Sequence, residues 1–116
     1  MEPIYELQAE ILRTLAHPRR LQIVHELADG PRTVGSLASG LRLSQPNVSQ
    51  HLAVMRTTGV VAATRSGREI QYRLTDGDII TACALMRAAL SRRLTRLAEL
   101  SRDPAGAPIP AASGGP

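Results

Sequence analysis

A chain of 116 residues is long enough for one ordinary domain and too short for two. It holds two Tyr and no Phe or Trp, so a core must come from Leu, Ile, Val, Ala and Met, which suits packed helices better than a β-sandwich. The formal net charge is +4, with Arg supplying every basic side chain, and the single Cys83 excludes an intrachain disulfide framework.

The first predicted helix spans 3–15, with Pro3 in its first turn and Ile4, Leu7, Ile11 and Leu15 at spacings of three or four. A second follows His17-Pro18 and stops at Asp29-Gly30-Pro31, with Leu21, Ile23, Val24, Leu27 and Ala28 on its apolar face. A short third helix runs from about Thr33, a fitting N-cap, to Ser39, with Val34, Leu37 and Ala38 inward. After a break at 40–43, Ser44 caps a fourth helix, Pro46 lies in its first turn, and Val48, Leu52 and Met55 mark its buried face. Thr58-Gly59 ends it.

The period then changes. Val60 to Thr64 reads as a strand, 65–68 as a hairpin tip, and Ile70, Tyr72 and Leu74 as the inner face of a second strand. From Asp76 a long helix continues to about Leu100, with an apolar stripe of Ile79, Cys83, Met86, Leu90, Leu94 and Leu97. Arg92, Arg93 and Arg96 read as its solvated or ion-paired face. The domain is expected to span 1–102, followed by a disordered Pro, Gly and Ala tail over 103–116. No stretch approaches the roughly 20 apolar residues of a membrane span, and the acidic start is not a signal peptide, so a cytoplasmic, nucleoid-associated protein is expected.

A short helix, a tight turn and a capped polar-faced helix make a helix-turn-helix, in which the second helix enters the major groove N-terminal end first. Here that end reads Ser44-Gln45-Pro46-Asn47-Val48-Ser49-Gln50-His51, without an acid. Gln and Asn bond adenine through two atoms, and Ser reaches bases or phosphates. The expected DNA-facing residues are Ser44, Gln45, Asn47, Ser49, Gln50, His51 and Arg56, joined by Arg65 and Arg68 from the hairpin. Outside the helix-turn-helix frame the same residues would be an ordinary solvated face.

The runs LASGLRLSQPNVSQHLAVMRTTGVV, SGREIQYRLT and LAHPRRLQIVHEL closely resemble the ArsR/SmtB family of bacterial repressors, over about residues 4–100. The resemblance implies a mainly α winged helix-turn-helix: four helices, a two-stranded β wing and a fifth helix. It implies a homodimer joined through the first and last helices, binding to double-stranded operator DNA, and release by an inducer. The dimer residues so placed are Ile4, Leu7, Ile11, Ile79, Cys83, Met86, Leu90 and Leu94. Two-fold symmetry implies an inverted-repeat operator. Where the family often has Gly, the turn here has Arg42, which would cost on the order of 1 kcal/mol if left-handed.

Family members commonly sense metal ions. The positions matching a Cys-x-Cys site are about Thr33 and Gly35, which cannot bind one. Those matching the interfacial site are Asp76 and Asp78, then Ala89 and Arg92, so that site is broken and the two Asp read as helix-start residues. A nickel, zinc or cobalt effector would rest on His17 and His25, with Glu10 or Glu26 nearby, although eight residues along one helix is too far for direct sharing. Cys83 is either a small core residue or a thiol that meets its own copy across the dimer axis. No nucleophile–base pair or phosphate loop points to an enzyme. The competing class is a winged-helix protein-interaction module without specific DNA binding.

Overall fold

The structure is a computed structural model and describes residues 2–102. The expected tail, 103–116, lies outside the described residues. The elements run α1 (Pro3–Leu15), α2 (Pro18–Leu27), β1 (Arg32–Thr33), α3 (Val34–Leu41), α4 (Gln45–Thr57), β2 (Val61–Ser66), β3 (Glu69–Leu74) and α5 (Gly77–Ser101).

Local chemistry sets these boundaries. His17 caps α2, its Nδ1 accepting from the Arg19 amide at 3.2 Å, and Pro18 fills the first helical position, where no N–H is needed. Thr33 Oγ1 accepts from the Ser36 amide at 3.1 Å and Ser44 Oγ from the Asn47 amide at 3.2 Å. Each such cap contributes about 1 kcal/mol. Helix α3 ends on Arg42, left-handed at φ 58 and ψ 44 and the one non-glycine with positive φ among the described residues. The Leu43 amide then closes the turn on the Ala38 carbonyl at 2.9 Å. A left-handed arginine costs about 1 kcal/mol relative to glycine.

The core of residues 2–81 is aliphatic, as the composition requires. Ile23, Val24 and Leu27 of α2, Leu37 and Ala38 of α3, and Val48, Leu52 and Met55 of α4 are buried together with Leu15, Val60 and Val61. These eleven residues contain no aromatic ring, so the polar hydrogen bonds around them matter for orienting the helices. Arg32 makes three of these contacts. Its Nε donates to Ser36 Oγ at 2.8 Å, its Nη2 to the Ser36 carbonyl at 3.0 Å, and its Nη1 lies 3.2 Å from Glu26 Oε2. Gly40 lets this ion pair lie against α3, because a Cβ there would sit 2.8 Å from Glu26 Oε1.

The sheet departs from the expected two-stranded ribbon. It has three antiparallel strands in the order β1-β3-β2, with Arg32 opposite Tyr72 and Thr33 opposite Gln71. Two residues carry no readable alternation, and Gly30-Pro31 beside them signals only a break. The hairpin tip is also tighter than expected. Ser66 pairs with Glu69, leaving Gly67 and Arg68 as a two-residue connection. Gly67 has φ 64, the conformation a hairpin of type II′ demands at that position. Arg65 therefore lies inside β2, opposite Ile70, rather than in the tip. Ile70 faces the same side as Tyr72 and Leu74, as its spacing predicts, but it is 43% exposed because it lies near the free end of the wing. At the other end Thr75 Oγ1 donates to the Gly59 carbonyl at 2.7 Å and fastens the wing's base.

Asp76 Oδ1 accepts from the Asp78 amide at 2.9 Å at the start of α5, the helix-start role read from its position. From Ala82 the chain forms a second unit, the remainder of α5. No residue of this 25-residue helix is buried.

Candidate nucleic-acid interface

Helices α3 and α4, joined through residues 42–44, form the helix-turn-helix. Three fully buried residues, Val48, Leu52 and Met55, determine which face of α4 is turned to the core. At about 100° per residue, Gln50 then lies on the side away from the core. Gln45, Ser49 and Arg56 line one flank, and Asn47 and His51 the other. Ser44, Gln45, Asn47, Ser49, Gln50 and Arg56 are all exposed. Of these, Gln45, Ser49 and Arg56 share one flank, and Asn47 lies beside Gln50, three residues away on the outer side of the helix.

The charge around this surface has one sign. Residues 30–68, from the end of α2 to the wing tip, contain no Asp or Glu. Within them the guanidinium groups of Arg42, Arg56, Arg65 and Arg68 have no hydrogen-bond or ion-pair partner among the described residues. Arg65 and Arg68 are exposed on the wing. Unpaired arginines beside exposed amides and hydroxyls suit phosphate oxygens and base edges.

His51 differs from the rest of the set. It is half-buried, and its ring meets that of His17 edge-on with centroids 4.6 Å apart. Its Nδ1 accepts from Arg20 Nε at 3.3 Å, and Arg20 Nη1 donates to the Thr14 carbonyl at 3.0 Å. Because arginine only donates, His51 is the neutral tautomer with its hydrogen on Nε2. Burial, and then the neighbouring His17, Arg20 and Arg19, hold its pKa below the ordinary imidazole value.

The sign of the resulting pH dependence follows. The unfolded chain takes up the His51 proton near pH 6.5, whereas the native chain resists until lower pH. This histidine's contribution is whole above about pH 6.5 and declines as pH falls towards the lowered native value. Urea midpoints at pH 7.5 and 5.5 are expected to differ more in the wild type than in His51→Asn. Equal differences would contradict this account.

A model of the arsR family of bacterial regulatory proteins matches residues 17–63, from the cap of α2 into β2. The HTH-type transcriptional regulator Rv0081 of Mycobacterium tuberculosis is 43% identical over 95 residues, covering 81% of this chain and 83% of that protein. The chain belongs to the ArsR family. The crystal structure of Rv0081 matches with a TM-score of 0.70 at 42% identity, covering 83% of this chain and 97% of that one. The homodimeric winged helix-turn-helix DNA-binding domain of Mb0332 from Mycobacterium bovis gives 0.73 at 29% identity, over 80% of this chain and 86% of that one. The transcriptional repressor BigR from Xylella fastidiosa gives 0.65 at 36% identity, over 70% and 83%.

An ArsR-family chain invites a test of metal ligands. Among the described residues no group of three or more His, Cys, Asp or Glu could hold a metal ion. His17 and His25 are not brought together: eight residues of helical rise separate them by roughly 12 Å. His17 Nδ1 is engaged by the Arg19 amide, and Glu26 is paired with Arg32. These residues do not fit a shared metal site. Cys83 is a free, half-buried thiol. No helix among the described residues is long and apolar enough to cross a membrane.

Of the residues expected at a dimer interface, Ile4 and Leu7 are 60% and 57% exposed, and Met86, Leu90 and Leu94 are also exposed, while Ile11, Ile79 and Cys83 are half-buried. The sequence reading missed Arg20. Its position in the His17-Pro18-Arg19-Arg20 run marks a helix start, and nothing in spacing couples it to a residue 31 positions away.

Proposed function

We propose that this ArsR-family protein is a homodimeric repressor that reads double-stranded operator DNA with α4 and grips the flanking backbone with the wing. One observation carries the reading. A helix locked to the core through Val48, Leu52 and Met55 presents Gln45, Ser49, Gln50 and Arg56 from an acid-free stretch. Gln50 and Gln45 offer two-atom contacts to adenine, Arg56 offers the fork that suits guanine or phosphate, and Ser49 reaches either. The exposed N-terminal turn of α4 adds amides that favour a phosphate.

The apolar faces of α1 and α5 support a second copy of the chain as the partner. The homodimeric domain of Mb0332 provides a precedent at 29% identity. A two-fold axis sets two α4 helices on successive major grooves, about 34 Å apart, and so calls for an inverted repeat. Arg65 and Arg68 contact phosphates on either side. Such a protein works in the cytoplasm, at the nucleoid. An inducer releases it, and His17 and His25, which do not fit a shared metal site, are not assigned to that inducer.

Phosphate contacts are counted by salt. Replacing Arg65 and Arg68 with Ala is expected to lower the slope of log K against log salt by about 2 per protomer. Affinity should fall alike for operator and random duplex, because phosphates carry no sequence. An unchanged slope in fluorescence-anisotropy titrations would remove the wing from the interface.

A further inference from the structure

Three elements meet at one polar node: the end of α1, the start of α2 and the middle of the recognition helix α4. The Arg20 guanidinium bridges them, with Nη1 on the Thr14 carbonyl at 3.0 Å and Nε on His51 Nδ1 at 3.3 Å. Thr14 is itself buried, 5% exposed, and its hydroxyl is turned back onto the Glu10 carbonyl at 3.0 Å. The His51 ring is held against the His17 ring, and His17 is held in turn by capping α2. The buried residues of α4, Val48, Leu52 and Met55, are all apolar. Side chains of that kind resist separation but offer little resistance to small rotations, since apolar contact is non-directional. A fork with two fixed donors is directional.

We infer that Arg20 and His51 are a positioning pair that holds the fine rotational setting of the recognition helix within the seat made by its buried residues, and that His51 acts through Nδ1 on Arg20 rather than by touching DNA. This rests on the DNA-binding reading above. A small rotation of α4 moves every side chain on its outer surface, so the pair controls affinity without contributing a contact. The His17 ring lies against His51, and the guanidinium groups near it, those of Arg19 and Arg20, come from α2.

Two substitutions separate the roles of the two ring nitrogens. Asn places its Oδ1 the same number of bonds from the backbone as Nδ1, and so keeps the acceptor that Arg20 needs. Gln reaches the position of Nε2 and keeps only a group directed outward. Operator affinity, salt slope and sedimentation are to be measured for wild type, His51→Asn, His51→Gln, Arg20→Ala, His51→Ala and the Arg20→Ala/His51→Ala double variant.

His51→Asn is expected to bind within about twofold of wild type, and His51→Gln, His51→Ala and Arg20→Ala about tenfold more weakly, the scale of one hydrogen bond to a charged group. The double variant should be no weaker than either single Ala variant, the mark of a coupled pair. All should remain dimeric, with the wild-type salt slope. Retained binding by His51→Gln with loss in His51→Asn would make His51 a DNA contact and overturn the proposal. A slope lowered by about 1 in Arg20→Ala would make Arg20 a phosphate contact and overturn it equally. Additive losses in the double variant would also refute coupling. A wild-type protein that does not bind duplex at all would overturn the DNA-binding reading, and the positioning role with it.

Discussion

A protein carrying Leu90→Glu and Leu94→Glu is expected to sediment as a monomer and to bind operator at least about a hundredfold more weakly than wild type. Both leucines are exposed in the single chain, 49% and 68%, and neither is among the buried core residues. Each leucine covered by a partner contributes about 1.5–3 kcal/mol, and a carboxylate left in its place without a partner opposes association further. Loss of the dimer turns two-site attachment into one-site attachment, which removes two to four orders of magnitude without altering a single base contact. The far-ultraviolet circular dichroism should retain its helical signal. A variant that stays dimeric at micromolar concentration would show that α5 is not the dimer surface.

The second large effect is confined to specificity. Ser49→Ala with Gln50→Ala should weaken operator binding by about ten- to a hundredfold, since a two-atom contact to a base contributes about 1–3 kcal/mol of discrimination. Alanine is the best helix former, and both positions are exposed, so α4 and its buried row are left intact. Binding to random duplex should hardly change, because the arginines that meet phosphate remain. Equal losses on operator and random DNA would mean that these two residues serve the backbone and not the bases.

Features set by short-range chemistry were legible in the sequence. The caps at Thr33 and Ser44, Pro18 at a helix start, and the buried row Val48, Leu52 and Met55 follow from residue type and a 3.6 period, and the structure places each as expected. The left-handed Arg42 answers a question that the family resemblance raised only conditionally, through the glycine often found at that position. Features formed by distant segments were not. Strand β1 exists because β3 offers Tyr72 and Gln71 an edge to pair, and its two residues have no pattern of their own. Arg65 was assigned to the tip because Ser-Gly is a turn signal, yet Gly67 alone supplies the positive φ and the turn closes in two residues. His51 belongs to the polar end of α4 by sequence, and only the fold brings it to His17 and Arg20. The separation of His17 from His25 follows from eight residues along one helix, whereas the meeting of His17 with a histidine 34 positions away is supplied only by the fold.

The most direct test of the central claim is equilibrium binding of the wild-type dimer to duplexes from its own upstream region and to a scrambled duplex, over a range of salt. One upstream duplex containing an inverted repeat should bind about a thousandfold or more tightly than the scrambled one, with affinity falling steeply as salt rises. Equal affinity for every duplex, or binding indifferent to salt, would contradict the repressor assignment and leave the winged fold as a surface for protein partners.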